Sequence, residues 1–111
     1  MNTSDQIYAV PADHPPMAKV GDFMDHIGTA AFEGKTILVL PKSAIDPTFF
    51  DLRSGLAGEV TQKLVNYQLK CAIIGDFQTE IEQSNALRNY IYECNQGHHI
   101  QFVGHQDEIK F

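Results

Sequence analysis

This chain has no cluster of lysine or arginine anywhere along its 111 residues. Eight basic side chains stand against fourteen acidic ones, for a formal charge of -6. Nucleic-acid binding draws most of its affinity from neutralised phosphates and shows as a basic face. No such face can be assembled here, and anionic membrane surfaces are disfavoured for the same reason. Long apolar runs are also missing. The longest are far shorter than the roughly 20 residues a helix needs to cross a bilayer. Cysteine is scarce: Cys71 and Cys94 are too few and too far apart for a disulfide framework. The N-terminal stretch is acidic and lacks the charged-then-apolar pattern of a secretory signal, so the expected compartment is the cytoplasm.

What is present is 43% hydrophobic residues, enough for one domain over residues 1–111 with its own core. Four short apolar runs alternate with three helical patterns. Ile7–Val10 reads as a first strand ended by Pro11. Asp13, His14, Pro15 and Pro16 then suit a helix start. Met17, Val20, Met24, Ile27 and Ala31 recur at helical spacing after it. Thr36–Leu40 is continuous and rich in β-branched residues, the habit of a strand buried on both faces of a parallel sheet. A second helix follows Asp51 or Ser54, with Leu56, Val60 and Leu64 along one face and Ala57 beside them. Leu69–Asp76 is the clearest strand. A last helix starts near Thr79 or Ser84, turns Leu87, Ile91 and Cys94 inward, and stops at Gly97. Ile100–Val103 is the fourth strand, and the tail from Gln106 can form a turn. This alternation predicts an α/β fold, a mostly parallel four-stranded sheet with three main helices and right-handed crossovers.

Familiar catalytic patterns fail one by one. Gly34-Lys35-Thr36 lacks the glycine a phosphate loop needs at position 29, which is Thr, and it precedes a strand instead of following one. No G-x-S-x-G elbow exists. His98 and His99 are adjacent at a strand start and point to opposite faces, so they cannot share one ion, and the histidines read as solvated surface. Asp76 reads as a turn residue closing the third strand. No catalytic residue, metal or cofactor is assigned.

Two blocks carry a resemblance. FFDLRSGLAGEVTQKLVNYQLKCAIIGDF, residues 49–77, and ALRNYIYECNQGHHIQFV, residues 86–103, resemble the bacterial family called domain of unknown function 4180. Cys94 and Gln96 stand where that family's pattern has Ser and Arg. The resemblance implies the α/β fold and no particular chemistry. More loosely, the order of elements resembles STAS-type modules, which regulate bacterial partner proteins, and half of a flavodoxin-like fold.

The segment Asp51–Glu59 is the most informative for a site. It follows the second strand, on the side where open α/β sheets place their ligands. A helix N-terminus favours an anion, yet Arg53 puts a cation there, and Arg88 repeats this near the start of the last helix. The two arginines, with Asp51, Ser54, Glu59 and Asp76 nearby, could hold a carboxylate or phosphate. In the structural alternative Asp51 caps the helix, Arg53 pairs with Asp51, Asp76 or Glu59, and Gly55 and Gly58 let the helix approach the sheet. The leading expectation is a non-catalytic regulatory or interaction module. Its partner would be a second copy, docked through the first helix or the Phe49-Phe50 loop, or another bacterial protein. The alternative is a protein or enzyme that binds a small anion around Arg53 and Arg88.

Overall fold

The computed structural model describes residues 3–111. Its elements in chain order are β1 (Ile7–Ala9), α1 (Val20–Phe32), β2 (Ile37–Pro41), α2 (Leu56–Asn66), β3 (Lys70–Ile74), α3 (Gln78–Gln83), α4 (Asn85–Gln96) and β4 (Ile100–Val103). All strand pairs are parallel and the order is simply β1-β2-β3-β4. Right-handed crossovers that always step the same way put every connecting helix on one face of the sheet. The burial pattern agrees. Leu38, Leu40, Cys71, Ile73, Ile100 and Phe102 join the helical residues in the main core. On the other face Ile37, Val39 and Ala72 form a smaller cluster, with Ile7, Ile74 and the tail residue Ile109 against it. The Cα radius of gyration, 13.0 Å, is that of one folded unit of this length.

Helix α1 starts later than its sequence pattern suggests. Pro15 and Pro16 lie before the helix, and Asp22 Oδ2 caps its first turn by accepting from the amides of Ala18 (3.0 Å) and Lys19 (3.2 Å). Met17 is therefore outside the helix, fully buried and bridged to Ile45. With Met17 removed from the stripe, the buried face is Phe23, Ile27 and Ala30, about one residue away from the expected line. Helix α2 has the expected face of Leu56, Ala57, Val60 and Leu64. The single last helix is two. Ser84 adopts an extended conformation (φ -145°, ψ 114°) between α3 and α4, and its Oγ accepts from Leu87 N at 3.1 Å as the α4 cap.

The Phe49-Phe50 loop turns inward. Phe49 is 1% exposed, and its ring meets Phe23 at 5.8 Å and Phe50 at 5.4 Å between centroids. Phe50 continues the aromatic group to Phe77 and Phe102. These rings are packed in or against the core, whereas Phe32 at the end of α1 is 92% exposed, the most exposed of the large hydrophobic residues among those described.

Asn95 ties α4 to the sheet edge. Its Oδ1 accepts from Phe102 N (2.7 Å) and its Nδ2 donates to Phe102 O (3.2 Å), so both backbone groups of Phe102 on the last strand have a partner. An unpaired strand edge invites association with other chains. Asn95→Ala is expected to cost about 1–2 kcal/mol in urea unfolding and to raise aggregation on heating. An unchanged midpoint would mean that water replaces the side chain without loss.

Candidate functional site

The carboxyl ends of β2 and β3 open on a crevice of about 430 Å³ whose lining includes Lys42, Phe50, Asp51, Glu80, Ser84 and Leu87. Ligand crevices of open α/β sheets form where the strand order reverses and neighbouring loops diverge. The order here never reverses. The crevice instead lies between the Pro47–Phe50 turn and the α3–α4 corner, and its polar groups are engaged with one another. Lys42 Nζ donates to Glu80 Oε1 (2.7 Å) and to Asp76 O (2.6 Å), and sits 5.4 Å from the centre of the Phe77 ring. Lys42 follows Pro41 with nothing in its neighbours to mark it, so its role is visible only once β2 and β3 are paired.

The expected anion corner takes the following shape. Asp51 Oδ1 accepts from Arg53 N (3.1 Å) and from Arg53 Nε (3.4 Å), capping the turn Leu52–Ser54. The Arg53 side chain is 93% exposed beyond that contact. Ser54 Oγ donates to Thr48 O and accepts from Leu56 N. Asp76, in the turn before α3, accepts from Gln78 N at 2.9 Å. Glu59 and Arg88 are exposed on α2 and α4, and among the described residues Arg88 has no ion-pair partner. Asp51 is the one member of the set that lines the crevice. Gly55, at φ 80°, supplies the left-handed bend before α2. Gly58 does not serve close packing, since a Cβ there would meet no atom within 4 Å.

A second concavity, about 370 Å³, runs between α2 and α4. Gly58, Thr61 and Val65 form one wall, and Tyr90, Cys94 and Gly97 the other. Spacings of three and four residues put each set on one helix face. Tyr90, Thr61 and Cys94 face one another across this cleft, and burial, followed by the neighbouring Cys94, pushes the Tyr90 pKa up to about 12. Burial also raises the Cys94 thiol. A cysteine nucleophile needs the opposite shift, toward thiolate. Phenol and thiol are both neutral near pH 7, so Tyr90, Thr61 and Cys94 offer uncharged hydrogen-bonding groups beside Val65 and Ile100, in a lining that also includes Glu93, His98 and His99. Cys71, in the core, is raised to about 12 by burial and is inert.

The fold and these two concavities define a small parallel α/β domain with its helices on one face. The chain belongs to the family described as Domain of unknown function (DUF4180), whose model matches residues 2–110. The match extends well beyond the two blocks that carry the resemblance in sequence. No curated protein and no solved structure matches the chain.

Proposed function

We propose that this protein is a non-catalytic binding module that receives an uncharged, partly apolar group of a partner protein in the cleft between α2 and α4. The observation that carries the reading is the convergence of the uncharged Tyr90, Thr61 and Cys94 side chains on one concave, largely apolar cleft. Binding sites of this kind combine apolar lining with a few convergent polar groups. A regulatory role in the bacterial cytoplasm, STAS-like in manner, fits the domain's size and its two free thiols. No helix among the described residues is long and apolar enough to cross a membrane. Association of two copies through α1, with Phe32 exposed at its end, is compatible with the same reading.

Gly58→Leu tests it. The position is helical and its Cβ direction is open, so the variant is expected to fold and to gain up to about 1 kcal/mol from helix propensity. Its side chain should fill the cleft. Titrating phenol as a probe is expected to shift the amides of Thr61, Tyr90 and Cys94 saturably in wild type and not in the variant. Shifts that survive Gly58→Leu, or that cluster elsewhere, would sink the reading. The same spectra with inorganic phosphate address the second reading, an anion at Arg53 and Arg88, favoured by the exposure of both guanidinium groups. That reading requires saturable shifts around residues 51–54 that vanish in Arg53→Ala.

A further inference from the structure

Three residues from separate parts of the chain form a continuous hydrogen-bonded line. The Tyr8 hydroxyl, on β1, lies 3.1 Å from His26 Nδ1 on α1. His26 Nε2 lies 3.0 Å from His14 Nε2, in the loop between β1 and α1. His14 Nδ1 lies 2.6 Å from the carbonyl oxygen of Pro15. Both imidazoles are half-buried, and their rings meet edge to face with centroids 4.7 Å apart. These two histidines are structural partners, where the sequence pattern suggested solvated surface. Among the described residues no group of three or more His, Cys, Asp or Glu could hold a metal ion, which leaves proton chemistry for this pair.

The proton positions follow from the partners. A carbonyl oxygen can only accept, so His14 carries its hydrogen on Nδ1. Its Nε2 is then a lone pair, and the contact with His26 requires a hydrogen on His26 Nε2. His26 Nδ1 becomes the acceptor, and the Tyr8 hydroxyl donates to it. One tautomer of each neutral ring satisfies all three contacts. A single extra proton is also accommodated: a charged His26 still donates to His14 and directs Nδ1–H at the Tyr8 oxygen. A second proton is not. Both Nε2 atoms would then carry hydrogens and face each other as two cations.

We propose that Tyr8, His26 and His14 form an acid-opened latch, which holds the β1–α1 loop against the domain at neutral pH and frees it when both imidazoles are protonated. Besides Val10 N, which donates to Val39 O (2.9 Å), and the buried side chains of Val10 and Met17, the loop is tied by three bonds: Met17 N donates to Ala44 O (2.9 Å), Asp46 N to Met17 O (3.0 Å), and Ser43 Oγ to Ala12 O (3.0 Å). These three bonds join it to the segment that follows Lys42, so opening the latch loosens one wall of the strand-end crevice. Burial, and after it the His14 ring, lower the proton affinity of His26, while Asp25 on its own helix pulls the other way. The folded chain therefore binds this proton less readily than the unfolded chain does. The contribution to stability is full above the ordinary histidine value of 6.5 and is lost as pH falls through the lower folded value. The latch is independent of the α2–α4 cleft and stands or falls separately.

Nitrogen-15 NMR of the full chain tests it. At about pH 8 the hydrogens should sit on His26 Nε2 and His14 Nδ1. Between about pH 8 and about pH 5, protection of the Met17 and Asp46 amides, corrected for intrinsic exchange, should fall by at least about tenfold. The core amide of Cys71, bonded to His99 O at 2.8 Å, should keep its protection. His14→Ala should show weak Met17 and Asp46 protection at both pH values. Both rings in the Nε2–H tautomer would overturn the proposal, and that result needs no variant to fold. Loop protection that tracks Cys71, or a pH step that survives in His14→Ala, would overturn it as well.

Discussion

Phe49→Ser is expected to cost about 3–5 kcal/mol, the range for emptying a buried aromatic site, and to lower the melting temperature by roughly 12–20 °C. Phe49 is among the largest fully buried side chains in the molecule, at 1% exposure. Its ring joins α1, through Phe23 at 5.8 Å, to the aromatic group of Phe50, Phe77 and Phe102. Serine would leave a void between two layers and put a hydroxyl where no water reaches. A domain of this size commands only about 5–15 kcal/mol in total, so the variant should approach the unfolding threshold. The alternative held by the bare sequence was that two phenylalanines in a polar loop are an association surface. Equilibrium unfolding and sedimentation separate the two. A variant with unchanged stability and weakened self-association would restore the surface reading and contradict the packing described here.

The Phe49-Phe50 loop shows where local reading stops. Strands β2, β3 and β4 announce themselves because runs such as Ile37–Leu40 are apolar on both faces, and α2 because its apolar residues keep helical spacing. Loop conformation has no such periodicity. Asp46, through its own cap on Thr48, turns Pro47–Phe50 into one 3-10 turn that rolls Phe49 beneath α1. The start of α1 escapes local reading for a related reason: Met17 obeys the helical spacing by chance, and tertiary pairing with Ile45 claims it. In the candidate corner, Asp51 was one of three partners open to Arg53, being two residues from it. It caps the turn Leu52–Ser54, however, and not α2, which follows Gly55 without a side-chain cap. Lys42 with Glu80, Thr61 with Tyr90, His14 with His26 and Asn95 with Phe102 were not legible. Each joins two different elements or loops whose docking has no local periodicity to announce it, and none of these residue types stands out in its own neighbourhood.

Gly75→Ala is expected to cost about 1–3 kcal/mol, the penalty for forcing a methyl group into filled space. Gly75 follows β3, and a Cβ built on it would lie 2.6 Å from Lys42 Cβ, 3.1 Å from its Cδ and 3.4 Å from its Cγ. The far carbons could swing away, but Lys42 Cβ cannot. It hangs directly from the backbone after Pro41, which is in register with Ile74, so relief requires β2 and β3 to shift against each other. Gly75 N also donates to Val103 O at 3.0 Å, which pins the other side of the peptide to β4. Any displacement of the lysine weakens its bonds to Glu80 and Asp76 and opens the crevice they close. A double-mutant cycle isolates the cause. In a Lys42→Ala background the contact with Cβ persists, and Gly75→Ala should still cost most of its wild-type penalty. In a Lys42→Gly background the contact is gone, and the same substitution should be nearly neutral in urea unfolding. If Gly75→Ala costs the same in all three backgrounds, the penalty comes from the backbone at position 75 and not from the lysine that crosses it.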